Sequence, residues 1–304
     1  MPTGRQILLF LKLSRPHFLM GGFLLYGLGA SIASYLGRPI DPGLYALGQA
    51  LVTAIQLMTH YLNEYFDSPA DRDNPHRTPL SGGSGALGPD GLPRKVALYA
   101  GILSLALAAT IGSAGLVNGA MPALAWIILI LIFLGAYFYS APPVRLVSSG
   151  YGEIAASVLV AGLLPSFGYA VQTGEIHRLL LMSTTPLMAL GFAMLLVFDL
   201  PDYATDVKYA KRNFTVRLGW QAAMRAHDLA VVFALLSLAV AYLNGLPPRV
   251  ALGALIATPL GVAQVWQMRR IRMGFPPRWT TLTLSALALF ALAAYLELAG
   301  YLLS

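Results

Sequence analysis

Asn63, Asp67 and Asp71 are spaced i, i+4, i+8 at the end of an apolar run that begins near Leu44, so on a helix they form one stripe. A second acidic group, Asp199, Asp202 and Asp206, ends another apolar run far downstream and also shares a face. Pro69 is expected to bend the first helix between its aspartates, because its ring clashes with the carbonyl of Tyr65. Clustered carboxylates repel one another and are tolerable only beside a cation. Asp67, Asp71, Asp202 and Asp206 offer the hard oxygens that Mg²⁺ takes, with substrate phosphates filling the rest of its shell. Arg72, Arg77, Lys208, Lys211 and Arg212 stand beside them and suit the remaining charge of a diphosphate. The chemistry these residues fit is that of a magnesium-bound diphosphate at the mouth of an apolar bundle, with a long hydrocarbon tail lying beneath.

The other polar landmarks carry less. Tyr139-Ser140-Ala141-Pro142-Pro143-Val144-Arg145-Leu146 stops an apolar run and leads to Gly150-Tyr151-Gly152-Glu153. It reads either as a helix stop with an interfacial tyrosine or as a cavity wall whose Tyr139 ring steadies a carbocation. His60, within its apolar run, reads either as a core hydrogen-bonder or as a pocket residue, and His76 as a solvated loop residue. Asp73, Asp90 and Asp228 read as solvated charges. Ser81-Gly82-Gly83-Ser84-Gly85 is a flexible loop with no Walker-type phosphate pattern, although its backbone donors suit an anion.

The elements that must position these groups are membrane helices. The chain is 57% hydrophobic and only 11% charged, whereas soluble domains are nearer a quarter charged. With no cysteine, disulfides and thiolate metal sites are excluded. The net charge of +7 falls in short loops between apolar runs, so it marks topology rather than nucleic-acid binding. An all-α, multispan bundle is expected, with nine runs long enough to cross a hydrocarbon core of about 30 Å. They lie near His17–Tyr35, Leu44–Phe66, Val96–Leu116, Pro122–Ser140, Ile154–Val171, Leu179–Asp199, Ala222–Leu243, Val250–Met268 and Thr281–Leu303. The first run follows directly on a short basic segment, so no cleavable signal is expected. The acidic motifs recur four spans apart in the same orientation. A single domain over 1–304 is therefore expected, containing a parallel pseudo-repeat, 17–140 and 151–268, and a final helix, 281–303.

Of the 20 Lys and Arg residues, all but Arg38, Arg178 and Arg249 fall on one side of this arrangement. The positive-inside rule makes that side cytoplasmic, together with the N-terminus and both acidic motifs. Intramembrane acids are also the hallmark of ion-coupled transporters, and the residues leave that class open. Transport sites tend toward the bilayer midplane, however, and these stripes lie at one edge.

Taken together, the chain resembles the UbiA superfamily of intramembrane prenyltransferases. Asn63, Asp67 and Asp71 match its Asn-x-x-x-Asp-x-x-x-Asp motif, and Asp202 and Asp206 its Asp-x-x-x-Asp motif. The Tyr-x-x-Pro-Pro and Gly-x-Gly-Glu elements are present as well. The resemblance implies Mg²⁺-dependent transfer of a polyprenyl group from its diphosphate to an aromatic acceptor, in the inner membrane with the site toward the cytoplasm. Asp67, Asp71, Asp202 and Asp206 would hold the metal, Asn63 would orient the acids, and Tyr139 would guard the allylic cation. Arg72, Arg77, Lys208, Lys211 and Arg212 would bind diphosphate, and Arg145 the acceptor's carboxylate. Asp199 is the candidate for the base that restores aromaticity. Asn63-Glu64-Tyr65-Phe66-Asp67, the Gly82-Gly83 loop and the stretch from Leu200 to Gly219 resemble the 1,4-dihydroxy-2-naphthoate prenyltransferases of menaquinone synthesis. The same motifs also serve 4-hydroxybenzoate as acceptor. Glu64 stands where Asp is commoner, and Asp199 where that subfamily often has Asn. Single-cysteine accessibility labelling is expected to place the Gly82 loop and Lys211 on the cytoplasmic side and Ser304 on the other. A cytoplasmic C-terminus would overturn the topology.

Overall fold

The computed structural model of the chain describes residues 3–304. In lipid, a backbone satisfies its own N–H and C=O groups only as helix or closed barrel, and here every long element is helical. The chain runs α1 (Gly4–Leu13), α2 (Pro16–Tyr35), α3 (Pro42–Asp73), α4 (Arg94–Val117) and α5 (Ala123–Ser140). It continues as α6 (Gly152–Thr173) and α7 (Arg178–Asp199). Short α8 (Tyr203–Lys208) and α9 (Phe214–Leu218) follow, then α10 (Trp220–Leu243), α11 (Pro248–Arg272) and α12 (Trp279–Leu302).

Local sequence sets many of the helix starts. Asp41 caps α3, its Oδ1 accepting from the N–H groups of Gly43 (2.7 Å) and Leu44 (2.9 Å), with Pro42 preset for the first turn. Pro93, Pro122 and Pro247 precede α4, α5 and α11. Within α6, Val158–Leu163 widens into a π-helical stretch.

Among the described residues, eight helices are long and apolar enough to cross a membrane: α2, α4 to α7, and α10 to α12. The expected span near Leu44–Phe66 is the exception. It lies in α3, where Gln49, Gln56, His60, Asn63 and Glu64 dilute the apolar run. That helix has 32 residues, about 48 Å at 1.5 Å per residue. It continues through Pro69 to Asp73, so the proline does not end it.

In the bundle, α3 packs on α2, α4 and α5, α2 crosses the C-terminal half of α6, and α7 packs on α10. The last helix, α12, returns to touch α2, α7 and α11, which closes the ring. One continuous core runs through it, with Leu25, Tyr26, Ile32, Leu51, Met58, Phe167 and Leu187 fully or nearly fully buried. Leu103, Ile127, Leu181, Leu229, Phe233 and Val262 face outward, which makes the helices apolar on both faces, as lipid requires. Two smaller clusters cap the end that carries the acids. One joins Leu80 to Val197, Met224, Met268 and Leu282, and the other joins Leu13 and Ala86 to Tyr61, Ala97 and Ala100.

The α2–α6 crossing is close because both partners are glycine. A Cβ on Gly29 would meet the backbone of Pro165 and Tyr169, and one on Gly168 the carbonyl of Tyr26. Small residues at crossings are how membrane helices approach closely. Gly168→Ala is expected to destabilise by about 1–3 kcal/mol, the usual cost of overpacking. Gly21→Ala, with no atom within 4 Å, is expected to leave stability unchanged or slightly raised. Thermal unfolding of the two variants in one detergent checks the contrast.

Candidate active site

The C-terminal ends of α3 and α7 and the N-terminal end of α6 carry Glu64, Asp67, Asp71, Asp199 and Glu153, and with Asp202 and Asp206 in the segment after α7 they bring seven carboxylates to one end of the bundle, where Tyr139 of α5 joins them. On α3, Asn63 Nδ2 donates to Asp67 Oδ2 at 3.1 Å and to Ser140 Oγ at 3.4 Å. Asp67 is buried. Lys211 Nζ lies 3.2 Å from Asp67 and 3.6 Å from Asp206, so one ammonium bridges the two acidic stripes. Arg145 approaches Asp67 at 3.8 Å, an ion-pair distance too long for a hydrogen bond. Asp71 lies half-buried against Gly83, where a Cβ would strike its carboxylate; φ there is +74°, which glycine alone adopts freely.

The second stripe is held by loops. Asp202 accepts from Asn74 Nδ2 at 2.6 Å and from the Gly82 N–H at 3.1 Å. Asp206 accepts from Asn213 Nδ2 at 2.6 Å, and Asn213 also caps α9 through the Val216 N–H at 2.8 Å. Asp199 accepts from Thr215 Oγ1 at 3.2 Å and lies beside Glu153. Glu153 in turn accepts from the Phe214 N–H at 3.0 Å, and its other oxygen is buried without a partner among the described residues. Tyr139, at the end of α5, has Glu153, Asp199, Lys211 and Asp67 as its charged surroundings.

These groups carry shifted ionisation. Burial first, then the charge of Asp206, raises Asp202 to about 7, although Lys211, the Gly82 N–H and Asn74 oppose the rise. Burial also raises Asp206, against the pull of Lys211. For Lys211 burial disfavours the charge, but Asp67, Asp206, Asp71 and Asp199 outweigh it and hold the ammonium well above the ordinary lysine range.

Not every expected residue joins the cluster. Lys208 is 64% exposed and pairs with Asp73 at 2.6 Å, outside the acid group. Asp73, expected to be solvated, also accepts from Tyr209 at 2.7 Å. Arg77 folds back on its own loop, with Nε donating to the Gly82 carbonyl at 2.7 Å and a terminal nitrogen to the Asp71 carbonyl at 2.6 Å. Its charge therefore braces backbone. Arg72 and Arg212 are exposed. Asp228 is likewise no solvated charge, since Arg272 donates to it at 2.6 Å and His227 lies 3.0 Å away. His60 does hydrogen-bond within the core, to the Ser14 carbonyl at 3.2 Å.

Asn74, Asn213 and Glu153 are the site residues that sequence reading did not assign. Asn213 had a local signal as an N-cap ahead of Val216-Arg217-Leu218. Glu153 stood in the Gly-x-Gly-Glu element. Asn74 had none, because its partner is 128 positions away.

The shift at Asp202 generates a stability prediction. A carboxyl whose folded pKa lies above its unfolded value stabilises most below the unfolded pKa, and that contribution is lost as pH rises through the folded value. For Asp202 the window runs from about 4 to about 7. With metal chelated, Asp202→Asn is therefore expected to match or exceed the unsubstituted protein in thermal midpoint at pH 8, and to lose that advantage at pH 4. Thermal unfolding at the two pH values checks this.

Comparison with known proteins identifies the fold and the family. By fold, the chain is similar to a UbiA homologue from Archaeoglobus fulgidus bound to DMAPP and Mg²⁺, with TM-score 0.62 and 16% identity over 95% of this chain and 98% of that one. It is similar to the structure of digeranylgeranylglyceryl phosphate synthase, with TM-score 0.64 and 16% identity over 98% and 99%. A UbiA homologue from Aeropyrum pernix K1 matches with TM-score 0.61 and 12% identity over 92% and 97%. Among curated proteins, none matches the chain by sequence. The model of the UbiA prenyltransferase family matches residues 23–284. On that match, which covers most of the chain and sets ion transport aside, the protein belongs to the UbiA family of membrane prenyltransferases.

Proposed function

We propose that the chain transfers a polyprenyl group from its diphosphate to 1,4-dihydroxy-2-naphthoate, in menaquinone synthesis, at the cytoplasmic face of the inner membrane. The observation that carries the diphosphate-site reading is the bridging of both acidic stripes by Lys211, 3.2 Å from Asp67 and 3.6 Å from Asp206; the naphthoate acceptor rests on the resemblance of the Asn63–Asp67 and Leu200–Gly219 stretches. The two stripes already share a cation where a diphosphate with its metal would join them. The Archaeoglobus fulgidus homologues bound to DMAPP or GPP with Mg²⁺ support the donor class.

The donor set fits magnesium. Asp67, Asp71, Asp202 and Asp206 are hard oxygen ligands, two on each stripe. Among the described residues no three carboxylates or histidines close on one metal position. Magnesium keeps several waters and takes further ligands from substrate phosphates, so it would need only one or two of these carboxylates. When bound, it supplies Lewis-acid stabilisation of charge on the departing diphosphate.

The remaining work falls to the chain. Lys211, with Arg145 beside it, neutralises the phosphate oxygens as the bond from prenyl carbon to oxygen breaks. Tyr139 presents its ring to the allylic cation. The new carbon–carbon bond forms to an electron-rich ring carbon, and that carbon's proton passes to Asp199, which Thr215 and Glu153 flank. The apolar bundle below keeps water from the cation. The two acidic helices are read as matching parts of a parallel pseudo-repeat, 17–140 and 151–268, closed by the helix at 281–303.

Asp67→Asn is expected to lower turnover by at least about a hundredfold, the scale of losing one electrostatic stabiliser, and activity is expected to vanish in EDTA. Purified protein given one polyprenyl diphosphate with 1,4-dihydroxy-2-naphthoate, 4-hydroxybenzoate and a glycerol phosphate in competition is expected to prenylate the naphthoate. Product masses decide the acceptor. Preference for another acceptor overturns the acceptor assignment, and full activity of Asp67→Asn or in EDTA overturns the site.

A further inference from the structure

Glu64 follows the first motif residue on α3, yet it takes no part in the acid cluster's bridge to Lys211. It is buried, 2% exposed, and every hydrogen bond it receives comes from outside its own helix. The Ser84 N–H donates to Oε1 at 2.6 Å and Ser84 Oγ to Oε2 at 2.8 Å. Arg15 Nε donates to Oε1 at 2.9 Å, and a terminal nitrogen of the same guanidinium also contacts that oxygen. Both carboxylate oxygens are thus occupied, by the glycine-rich loop and by the residue that opens α2.

The consequences reach the cluster along a short path. Ser84 Oγ accepts from the Ala86 N–H at 3.1 Å, and Ala86 is fully buried against Leu13 and Tyr61. Two residues before Ser84, the Gly82 N–H donates to Asp202, and Gly83 packs on Asp71. The loop therefore touches one acid from each stripe, and Glu64 is the buried side chain that pins its middle. Arg15 lies in the left-handed region, with φ 49°, a conformation rare for a residue with a Cβ. The ion pair with Glu64 holds it there.

We propose that Glu64 is a positioning residue. It latches the Ser81–Gly88 loop over the acid cluster through Ser84 and ties that loop to the start of α2 through Arg15, so that Asp202 is presented in register with Asp67 and Asp71. This rests on the reading of the cluster as the magnesium–diphosphate site, but the latch itself is a property of the chain without ligand.

Because the chain has no cysteine, Ala86→Cys provides a single thiol under the loop. Its labelling by a maleimide in detergent, with metal chelated, reports loop opening directly. Neutralising Glu64 removes a charged acceptor, and bonds to charged groups are the stronger ones. Glu64→Gln in the Ala86→Cys background is expected to label at least about tenfold faster, as a locally opened segment does, with folding confirmed by its thermal transition. Ser84→Ala, which deletes one of the loop's two bonds, is expected to give a smaller increase. Should Glu64→Gln fail to fold, the Ser84→Ala rate decides. In the enzyme assay without the added thiol, Glu64→Gln is expected to raise the magnesium concentration for half-maximal rate by more than it lowers kcat at saturating magnesium, and Glu64→Asp to recover part of that loss. A position-86 thiol that stays equally protected in every folded variant overturns the proposal, as does an unchanged magnesium requirement. Failure of the functional reading would look different: the unsubstituted protein would transfer no prenyl group, whatever the labelling rates.

Discussion

Seven carboxylates, Glu64, Asp67, Asp71, Glu153, Asp199, Asp202 and Asp206, meet at one end of an otherwise apolar bundle, and their mutual repulsion is the constraint to which the surrounding structure answers. At short range and low dielectric such repulsion costs far more than in water. Lys211 relieves it at the centre, between Asp67 and Asp206. Arg15 relieves it at Glu64, and Arg145 stands at the edge of Asp67. Amides and backbone N–H groups from Asn63, Asn74, Asn213 and Gly82 take up further oxygens. The long connections before α4 and after α7 exist largely to deliver these donors. A chain that turned tightly at those points could not bring Asn74 to Asp202 or Lys211 back to Asp67.

The rest of the bundle makes the cluster rigid. The caps formed by Leu80 with Met268 and Leu282, and by Ala86 with Leu13 and Tyr61, fasten the loops to helix ends that are themselves fixed by the core. The closed ring from α2 to α12 means that the helices bearing the two stripes cannot separate without unpacking others. Preorganisation of this kind is what electrostatic catalysis needs, since donors already in place cost no reorganisation during reaction. Asp202 is one of the acids held where burial and the neighbouring Asp206 disfavour its charge, at some expense of stability.

How much of this was legible beforehand follows from the range of each interaction. The apolar runs and the acidic stripes were readable because both are local periodicities, and eight of nine runs emerge as apolar membrane-length helices. The remaining run, α3, is longer and more polar than the span expected there, because the residues that build the site interrupt its own hydrophobic pattern. Proline at position 69 read as a bend within the helix, and the helix runs on past it to Asp73. Cations were harder. Lys208, Lys211 and Arg212 are neighbours of equal charge, and only the turn ending at Ala210 and Lys211, closed by the Lys211 N–H to Asp206 carbonyl bond at 2.9 Å, decides that Lys211 points inward while Lys208 pairs with Asp73. Arg77 was adjacent to the acids in sequence, but the loop's return to Gly82 captured it. Glu64, Ser84 and Arg15 belong to three separate segments, and no spacing rule connects them.

The length of α3 also sets where reaction events are counted. Asn63 lies 21 residues beyond Pro42, about 31 Å along the axis at 1.5 Å per residue, close to one hydrocarbon thickness. On the proposed placement of α3 across the bilayer, the helix is a ruler that lifts its acids to the boundary between acyl chains and headgroups. A tailed reactant arrives there by lateral diffusion, and its effective concentration is a mole fraction within one leaflet. A water-soluble reactant arrives from a volume and is counted in moles per litre. Saturation of such a site by its tailed partner depends on how much lipid dilutes it, so adding empty bilayer slows the reaction even when every solution concentration is unchanged.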